Sequence, residues 1–160
     1  MRGCPIQIVD FSDVPETLEA LAGWHQAQWG YLYPGRTLAQ RIEGMRDYLS
    51  PDFLPSTFVA MADGVIGSAA IVPCDMEERA ELSPWLASVY VAPSRRGQGV
   101  GSALVRHVME AAAWHGYGEL FLFTPDRESF YRRLGWRRFE TLDYHGASVV
   151  VMRATLARSA

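Results

Sequence analysis

Residues whose chemistry suits an anion are concentrated between positions 86 and 105. An apolar run over 86–91 predicts a strand, and Pro93, which cannot donate to a sheet ladder, marks its end. A basic glycine loop and an amphipathic helix follow; the loop contains Arg95, Arg96, Gly97, Gly99 and Gly101. Glycines let backbone N–H groups approach an anion, and the free donors of a helix N-terminus favour negative charge. The stretch therefore predicts a phosphate cradle, to which the arginines add charge-assisted hydrogen bonds.

The glycine spacing separates this loop from two common nucleotide-binding loops. A P-loop ends in Gly-Lys-Ser/Thr, whereas Gly101 is followed here by Ser102 and Ala103, without a lysine. A dinucleotide-binding fingerprint is G-x-G-x-x-G, whereas these glycines follow G-x-G-x-G and lie well past the middle of the chain. The spacing therefore disfavours a nucleotide-binding domain.

The composition is that of an ordinary globular protein. The chain has 160 residues, 49% of them apolar and 21% charged, so we expect one domain over residues 1–160. The net charge of −3 provides no basic field for nucleic acid. Cys4 and Cys74 lack metal-like spacing, so we expect reduced structural thiols and no metal. Because signal-peptide and membrane-length apolar patterns are missing, the sequence predicts a cytoplasmic protein without a membrane partner.

The sequence before the cradle begins with a predicted strand and helix. We expect the strand over 4–11 and the helix from Asp13, as its N-cap, to about Gln28. The apolar spacing predicts the buried face of this helix: Leu18, Leu21, Ala22 and His25.

A second helix and a hairpin are predicted next. Thr37 is the expected N-cap of the helix, which should continue through Leu49. The hairpin strands are predicted over 57–62 and 65–72, because Asp63-Gly64 between them supplies a two-residue turn.

The elements after the cradle alternate between helix and strand. We expect a helix over 99–115 and then a strand over 119–123, parallel to the central strand because a helix connects them. The next helix should begin at its cap, Thr124, and end at Gly135. A closing hairpin is predicted, with strands over 136–144 and 147–156 joined at His145 and Gly146. The predicted order is therefore β-α-α-β-β-β-α-β-α-β-β.

Three motifs of this chain occur in the same order, at similar spacing, in one known family. Arg96-x-x-Gly99-x-Gly101 resembles that family's R/Q-x-x-G-x-G/A loop, and residues 89–93 resemble the V-x-P end of its central strand. Residues 130–136, Phe-Tyr-Arg-Arg-Leu-Gly-Trp, resemble its F-Y-x-x-x-G-F signature. Over roughly residues 65–156 the chain thus resembles the GNAT N-acetyltransferase superfamily, which uses the loop to bind the pyrophosphate of acetyl-CoA.

The resemblance implies a fold and a co-substrate. The fold class is α/β (α+β): a mixed, mostly antiparallel sheet with a splayed parallel central strand pair, flanked by about four helices. Acetyl-CoA is the implied co-substrate, with no metal. Its binding residues are, by this resemblance, Arg96, Gly97, Gln98, Gly99, Val100, Gly101 and Ser102. The implied oxyanion donors are backbone amides near a bulge, at Val89, Tyr90 and Val91.

Tyr131 matches the tyrosine of the F-Y motif, which by resemblance is the acid that protonates the departing thiolate. Phe130 and Leu134, four residues apart, form the core face of the predicted helix, so Tyr131 points about a quarter turn away, where a cleft can lie. The alternative is a boundary tyrosine with a packed ring and a wet hydroxyl. The family often has asparagine seven residues earlier; Thr124 stands there and either substitutes for it or caps the helix.

The polar loop over 73–84 supplies candidates for a general base: Asp75, Glu77, Glu78 and Glu81. Glu81 lies nearest the central strand and is our predicted base. Such a loop can form a negatively charged mouth that attracts a cationic amine, or it can be an ordinary solvated surface.

The predicted function follows from these residues together. Trp29 and Tyr33 are candidates for the acceptor pocket, because the family uses its first two helices for specificity; core packing is the alternative. We expect transfer of an acetyl group from acetyl-CoA to a primary amine, on a small molecule or a peptide, by direct attack in a ternary complex. A non-catalytic acyl-CoA-binding module is the alternative from another class. No nucleic acid partner is expected, and a homodimer is left open.

Overall fold

The computed structural model describes residues 5–50 and 52–157. Its strands are β1 (Gln7–Asp10), β2 (Ser56–Met61), β3 (Val65–Val72), β4 (Trp85–Val91), β5 (Glu119–Thr124), β6 (Arg137–Tyr144) and β7 (Ala147–Thr155). Its helices are α1 (Leu18–Trp29), α2 (Leu38–Met45), α3 (Val100–Trp114) and α4 (Glu128–Arg133). Within the described residues the strands form one seven-stranded sheet in the order β1-β2-β3-β4-β5-β7-β6. The predicted fold class and element order are confirmed.

The first helix begins later than the sequence predicted, and Asp13 is not its N-cap. Asp10 instead caps a 3₁₀ turn over Phe11–Asp13, where its carboxylate accepts a hydrogen bond from the Ser12 amide at 2.9 Å. A second 3₁₀ turn, Pro15–Thr17, leads into α1. The predicted buried face is confirmed in full: Leu18, Leu21, Ala22 and His25. Cys4 and the predicted start of the first strand lie outside the described residues.

Local capping positions α2 as predicted, whereas the loop of the first hairpin is one residue longer than predicted. The Thr37 hydroxyl accepts from the Gln40 amide at 3.1 Å, and the Gln40 side chain accepts from the Thr37 amide at 2.9 Å. The α-helix then gives way to a 3₁₀ turn over 46–49. Asp63 and Gly64 have φ values of 56° and 101°, as the Asp-Gly sequence favours, but Met61 pairs with Val65, so Ala62 joins them in a three-residue loop.

Helix α3 covers one face of the sheet with its apolar stripe. Val100, Leu104 and Val108 are buried in one cluster with Ile66 and Ile71 of β3, and Ala111 packs against this cluster, partly buried. Burying such side chains contributes roughly 1.5–3 kcal/mol each, so this contact fixes the start of α3 against the sheet. In the part of the chain that is described, no helix is long and apolar enough to cross a membrane.

The parallel strands β4 and β5 lie at the centre of the sheet, between antiparallel neighbours. In the described structure they share one paired position, Trp85 with Phe121, beside a hydrogen bond from the Phe121 amide to the Pro84 carbonyl at 3.0 Å. Beyond that point the ladder stops and the strands separate. The predicted splayed pair is therefore confirmed, and the gap between its strands is where the site lies.

Candidate active site

A cavity of about 930 Å³ follows the gap between β4 and β5. One end is formed by the glycine loop and the N-terminus of α3, and the middle by residues 87–91 and 122–124. The other end is formed by α1, α2 and the loop before β4. The wall includes these predicted site residues: Trp29, Tyr33, Val89, Tyr90, Val91, Arg96, Gly97, Gly99, Val100, Gly101, Ser102 and Tyr131. Gln98 and Glu81, both described in the structure, do not line it.

The cradle end presents free backbone donors at the start of α3. Gly99 precedes the helix with φ 85° and ψ 6°, and the Ala103 amide donates the first helical bond to its carbonyl at 3.0 Å. The amides of Val100, Gly101 and Ser102 come before that bond, so they have no acceptor inside the helix. A Cβ on Gly99 would meet no heavy atom of the described residues within 4 Å. Free donors beside open space fit a phosphate group.

Arginine side chains surround this cradle. Arg96 donates from Nε to the Val91 carbonyl at 2.9 Å, and its guanidinium carbon lies 5.5 Å from the centre of the Tyr90 ring. Arg95 lines the cavity and donates to the Gln98 side chain at 3.5 Å, so Gln98 contacts the cradle through Arg95. Three further arginines of the wall were not predicted: Arg106, Arg127 and Arg133. Arg127 and Arg133 lie on either side of Phe130-Tyr131, in a stretch that is rich in arginine.

A β-bulge in β4 shapes the middle of the cavity. The pairing register shifts so that three residue steps in β4, from 87 to 90, lie opposite two steps in β3. Ser88, within the bulge, has a φ of 53°, which is uncommon for a residue other than glycine. The bulge lies beside Val89, close to where the family resemblance implied one. No side-chain pattern in the strand indicates it, because backbone conformation here is set by both neighbouring strands.

Amide direction along β4 distinguishes the three backbone donors that the sequence suggested. The Ala92 amide donates to the Ile66 carbonyl at 2.8 Å, towards β3. Because alternate residues of a strand direct their amides to opposite sides, the Tyr90 amide also faces β3, whereas the Val91 amide faces β5. Tyr90 therefore contributes its ring to the wall and not a free amide. Val91 has an amide that points into the gap, and Val89 lies in the bulge, where this alternation does not fix the amide direction.

Tyr131 lies on α4, with its side chain 8% exposed, in the wall of the cavity. Its ring packs against those of Phe130 and Trp136, with centres 5.0 and 6.0 Å away. Burial raises the pKa of the Tyr131 hydroxyl, so the group stays protonated at neutral pH. A protonated hydroxyl in the cavity wall is a usable proton donor.

Thr124 also lines the cavity, at the position where the family often has asparagine. Its hydroxyl accepts from the Arg127 amide at 3.0 Å. The helix itself begins at Glu128, three residues later than predicted, so Thr124 caps the turn that enters the helix. Of the two roles left open for this side chain, capping is the one with an observed hydrogen bond.

Aromatic side chains form the end of the cavity opposite the cradle. Trp29 lies with its ring 5.2 Å from that of His25, and the Tyr33 hydroxyl lies 3.4 Å from that of Tyr144. Tyr48, which was not predicted, joins them from the turn after α2. Burial and a neighbouring arginine hold the pKa of His25 at about 3, so the imidazole is neutral. The aromatic rings of this end give it apolar surface, and the tyrosines add polar hydroxyls.

The structure does not support Glu81 as the general base, because its side chain is exposed and lies outside the cavity. Asp75 is the carboxylate of the same loop that lines the cavity. The adjacent Met76 is 1% exposed and anchors this part of the loop in the protein core. Burial raises the pKa of Asp75 to about 7. The remaining acidic residues of the loop, Glu77 and Glu78, are exposed, so the expected acidic mouth is reduced to one carboxylate.

Two arginines at the aromatic end were also missed. Arg41 on α2 is 9% exposed, and the guanidinium carbon of Arg36 lies 4.4 Å from the centre of the Tyr33 ring. A signal for Arg41 exists in the sequence, because Arg41, Met45 and Tyr48 follow the i, i+4, i+7 spacing of an inward face. All three line the cavity. The inward face of this segment therefore consists of one cation, Arg41, followed by an apolar and an aromatic side chain.

The described residues contain no group of three or more histidine, cysteine or acidic side chains that could hold a metal ion. Cys74 is an exposed free thiol whose Sγ donates to the Met76 carbonyl at 3.4 Å. An exposed thiol contributes little to packing, so a structural role for Cys74 has no support here.

Comparison with known proteins assigns the family. The family model described as an acetyltransferase (GNAT) domain matches residues 55–138, more than half of the chain. The chain therefore belongs to the GNAT acetyltransferase family. A comparison with curated proteins gave no match.

Solved structures with this fold include two aminoglycoside acetyltransferases and a protein named Ard1. An aminoglycoside 6′-acetyltransferase type Ii superposes with a TM-score of 0.74 at 19% identity, over 96% of this chain and 99% of that one. An aminoglycoside 6′-N-acetyltransferase complexed with coenzyme A gives 0.73 at 17% identity, over 96% and 99%. Ard1 from Thermoplasma volcanium gives 0.72 at 18% identity, again over 96% and 99%. At these identities the similarity shows the fold alone.

Proposed function

We propose that the protein is an acetyl-CoA-dependent N-acetyltransferase that acetylates a primary amine by direct attack while both substrates are bound. One observation carries the proposal: a single cavity runs from an anion cradle, through the gap between β4 and β5, to a separate aromatic end. A co-substrate held at the cradle leaves the aromatic end free for an acceptor. The family membership and a neighbour of the same fold complexed with coenzyme A support this reading.

The cradle residues would hold the pyrophosphate of the co-substrate. Amides at the start of α3 supply donors, and Arg95 and Arg96 supply positive charge. Acetyl-CoA contributes an activated thioester, whose carbonyl carbon an amine can attack. The Val91 amide, which faces the gap, would donate to the carbonyl oxygen as negative charge develops on it; such a donor contributes roughly 10²–10³-fold.

Two side chains would move protons. Tyr131, whose raised pKa keeps it protonated, would donate to the departing thiolate. Asp75 replaces Glu81 as the proposed base, because it lines the cavity and its pKa of about 7 suits proton acceptance at neutral pH. An ammonium must lose a proton before it can attack, and a cavity carboxylate can accept that proton directly or through water.

The test combines turnover with binding. Purified protein is incubated with acetyl-CoA and a panel of amines; released thiol is measured, and mass spectrometry identifies the acetylated product. We expect product from wild type, a loss of roughly 10²–10⁴-fold in kcat for Tyr131→Phe, and unchanged CoA affinity by calorimetry. Tyr31→Phe is the matched control, since Tyr31 is 59% exposed and outside the cavity. CoA binding without product from any amine would favour the non-catalytic acyl-CoA-binding module instead.

A further inference from the structure

Arg41 is a buried cation in the wall of the cavity. Its side chain lies at the inward face of α2 and is 9% exposed. Nε donates to the Gln26 side-chain oxygen at 2.7 Å, but Nη2 is buried and has no hydrogen-bond partner among the described residues. A guanidinium remains protonated in proteins, so the group carries a full charge. A buried donor left unpaired is costly, and a ligand that accepts its hydrogen bond removes that cost.

This charge also lacks a counter-ion in the described part of the chain. The acidic side chains that form ion pairs there are Glu43, Glu119, Glu128 and Glu140, and none of them pairs with Arg41 or Arg36. Arg36, which also lines the cavity, adds a second positive charge; burial of Arg41, and then the charge of Arg36, lower the pKa of Arg41. Among the described residues, neither of these two cations at the aromatic end therefore has an ion-pair partner.

Gln26 bonds to the side chain of Arg41 and to the backbone of Arg36. Its side-chain nitrogen donates to the Arg36 carbonyl at 2.8 Å, while its oxygen accepts from Arg41. Packing of α1 against α2 explains this part of the arrangement. It does not explain why Nη2 is unpaired or why the second arginine lies beside the first. A fixed guanidinium with a free donor is suited to a carboxylate or phosphate, which it can bind through two parallel hydrogen bonds.

We propose that the acceptor is a small amine that also carries an anionic group, a carboxylate in the first instance, and that Arg41, assisted by Arg36, binds that group. The inference rests on the proposed function and names its substrate class. The guanidinium carbon of Arg36 lies 4.4 Å from the centre of the Tyr33 ring, and Arg41 and Asp75 line the same cavity, so the cationic pair and the carboxylate share one site. A molecule with an ammonium and a carboxylate matches this pair of opposite charges. The aromatic walls suit an apolar side chain, as in an α-amino acid of the methionine, leucine or phenylalanine type.

The experiment compares acceptors that differ only in the anionic group. L-Methionine, L-leucine and L-phenylalanine are each paired with their primary amides, and 2-aminoethylphosphonate is paired with ethanolamine. Kanamycin and spermidine represent polycationic amines. For each acceptor kcat/KM is measured with acetyl-CoA, for wild type, Arg41→Met and Arg41→Lys. Because an amide and its acid differ in amine basicity, the quantity compared is the ratio of wild type to variant, in which that difference cancels.

Arg46→Met is the matched control. Arg46 follows α2, is exposed, pairs with Glu43 and lies outside the cavity. Arg41→Met should lower kcat/KM for the anionic acceptors by about 10- to 100-fold and change their neutral partners less than threefold. Arg41→Lys should recover part of the loss, because it keeps the charge without the two-donor fork. Arg46→Met should change neither class.

The outcomes separate this inference from the proposed function. A preference for the phosphonate alone that depends on Arg41 supports the anionic group and identifies its source as phosphorus chemistry. Equal losses for acids and amides in folded Arg41→Met would make Arg41 a packing residue and overturn the inference. Acetylation of neutral or polycationic amines, with the anionic ones refused, would overturn it while the acetyltransferase activity stands. CoA binding without product from any acceptor would instead refute the proposed function.

Discussion

Replacement of Asp75 by asparagine tests whether burial disfavours ionisation of this cavity carboxylate. Asp75 lines the cavity, and burial raises its pKa from 3.8 to about 7. Asparagine has nearly the same shape and does not titrate. The variant should therefore differ from wild type in how its stability depends on pH, and not only in its average stability.

The size and sign of this difference follow from proton linkage. A shift of about 3 pKa units corresponds to about 4 kcal/mol, at about 1.4 kcal/mol per unit. Folded protein keeps the Asp75 proton up to about pH 7, whereas an unfolded aspartate loses it near its ordinary value. The folded state thus binds more protons in between, so wild-type stability falls as pH rises from about 4 to about 7, and the loss is complete above that. The free energy of unfolding of Asp75→Asn, relative to wild type, should rise by about 4 kcal/mol across this window.

The assay is urea unfolding of both proteins at pH 4 and pH 8. Other titrating groups, including the buried His25, are common to both proteins and cancel in the difference. Glu81→Gln is the control: Glu81 belongs to the same loop but is exposed, so its effect should stay within about 0.5 kcal/mol at both pH values. If the Asp75→Asn difference were the same at pH 4 and pH 8, the carboxylate would not be destabilised by burial. Its assignment as a base would then lose its physical basis.

Three further outcomes are expected. In kinetics, wild-type kcat/KM should fall below about pH 7 as Asp75 becomes protonated, and Asp75→Asn should lose this inflection together with roughly 10²–10⁴ in rate. Gly99→Ala should weaken CoA binding in calorimetry. Gly146→Ala is its control, because Gly146 lies in a distant turn with a φ of 83°, close to the 85° of Gly99. This control should lose a comparable amount of stability in thermal melting and leave CoA affinity unchanged. Gly67→Ala should destabilise the protein by at least about 1 kcal/mol in urea unfolding and should slow turnover. The reason is that its Cβ would lie 2.7 Å from the Tyr90 carbonyl oxygen and displace β4 at the bulge. Unaltered turnover would mean that the strand accommodates the added methyl group.

Features that depend on a few neighbouring residues were predictable from the sequence. The Asp63-Gly64 turn, the Thr37 cap and the glycine loop before α3 each place their chemistry within four or five residues. The parallel placement of β5 followed from the helix that connects it to β4. These local and topological signals were enough to predict the fold and the cradle end of the cavity.

The aromatic end was less predictable because tertiary contacts decide it. The sequence places Asp75 and Glu81 in one polar loop, and only the burial of Met76 in the folded core determines which carboxylate reaches the cavity. The direction of the Tyr90 amide depends on the register with β3, which the apolar pattern of β4 does not encode. The sequence shows that Arg41 belongs to an inward-facing helical stripe. That its Nη2 has no hydrogen-bond partner among the described residues appears only in the folded structure.

Charge at the aromatic end argues against a polycationic acceptor, such as the aminoglycosides for which two structural neighbours are named. An ammonium held about 5 Å from a guanidinium, at an effective dielectric constant of about 20, is disfavoured by about 3 kcal/mol, and a carboxylate there is favoured by a similar amount. The difference is large enough to select among amines by their second charged group. The neighbours described as aminoglycoside acetyltransferases share the fold at 17–19% identity, and so do not determine the acceptor of this chain. A polycationic acceptor would have to place an ammonium beside Arg36 and Arg41, neither of which has an ion-pair partner among the described residues. An acceptor with one amine and one anion offers a complement to each charge, because Arg41 and Asp75 both line the cavity and both interact electrostatically with Tyr33.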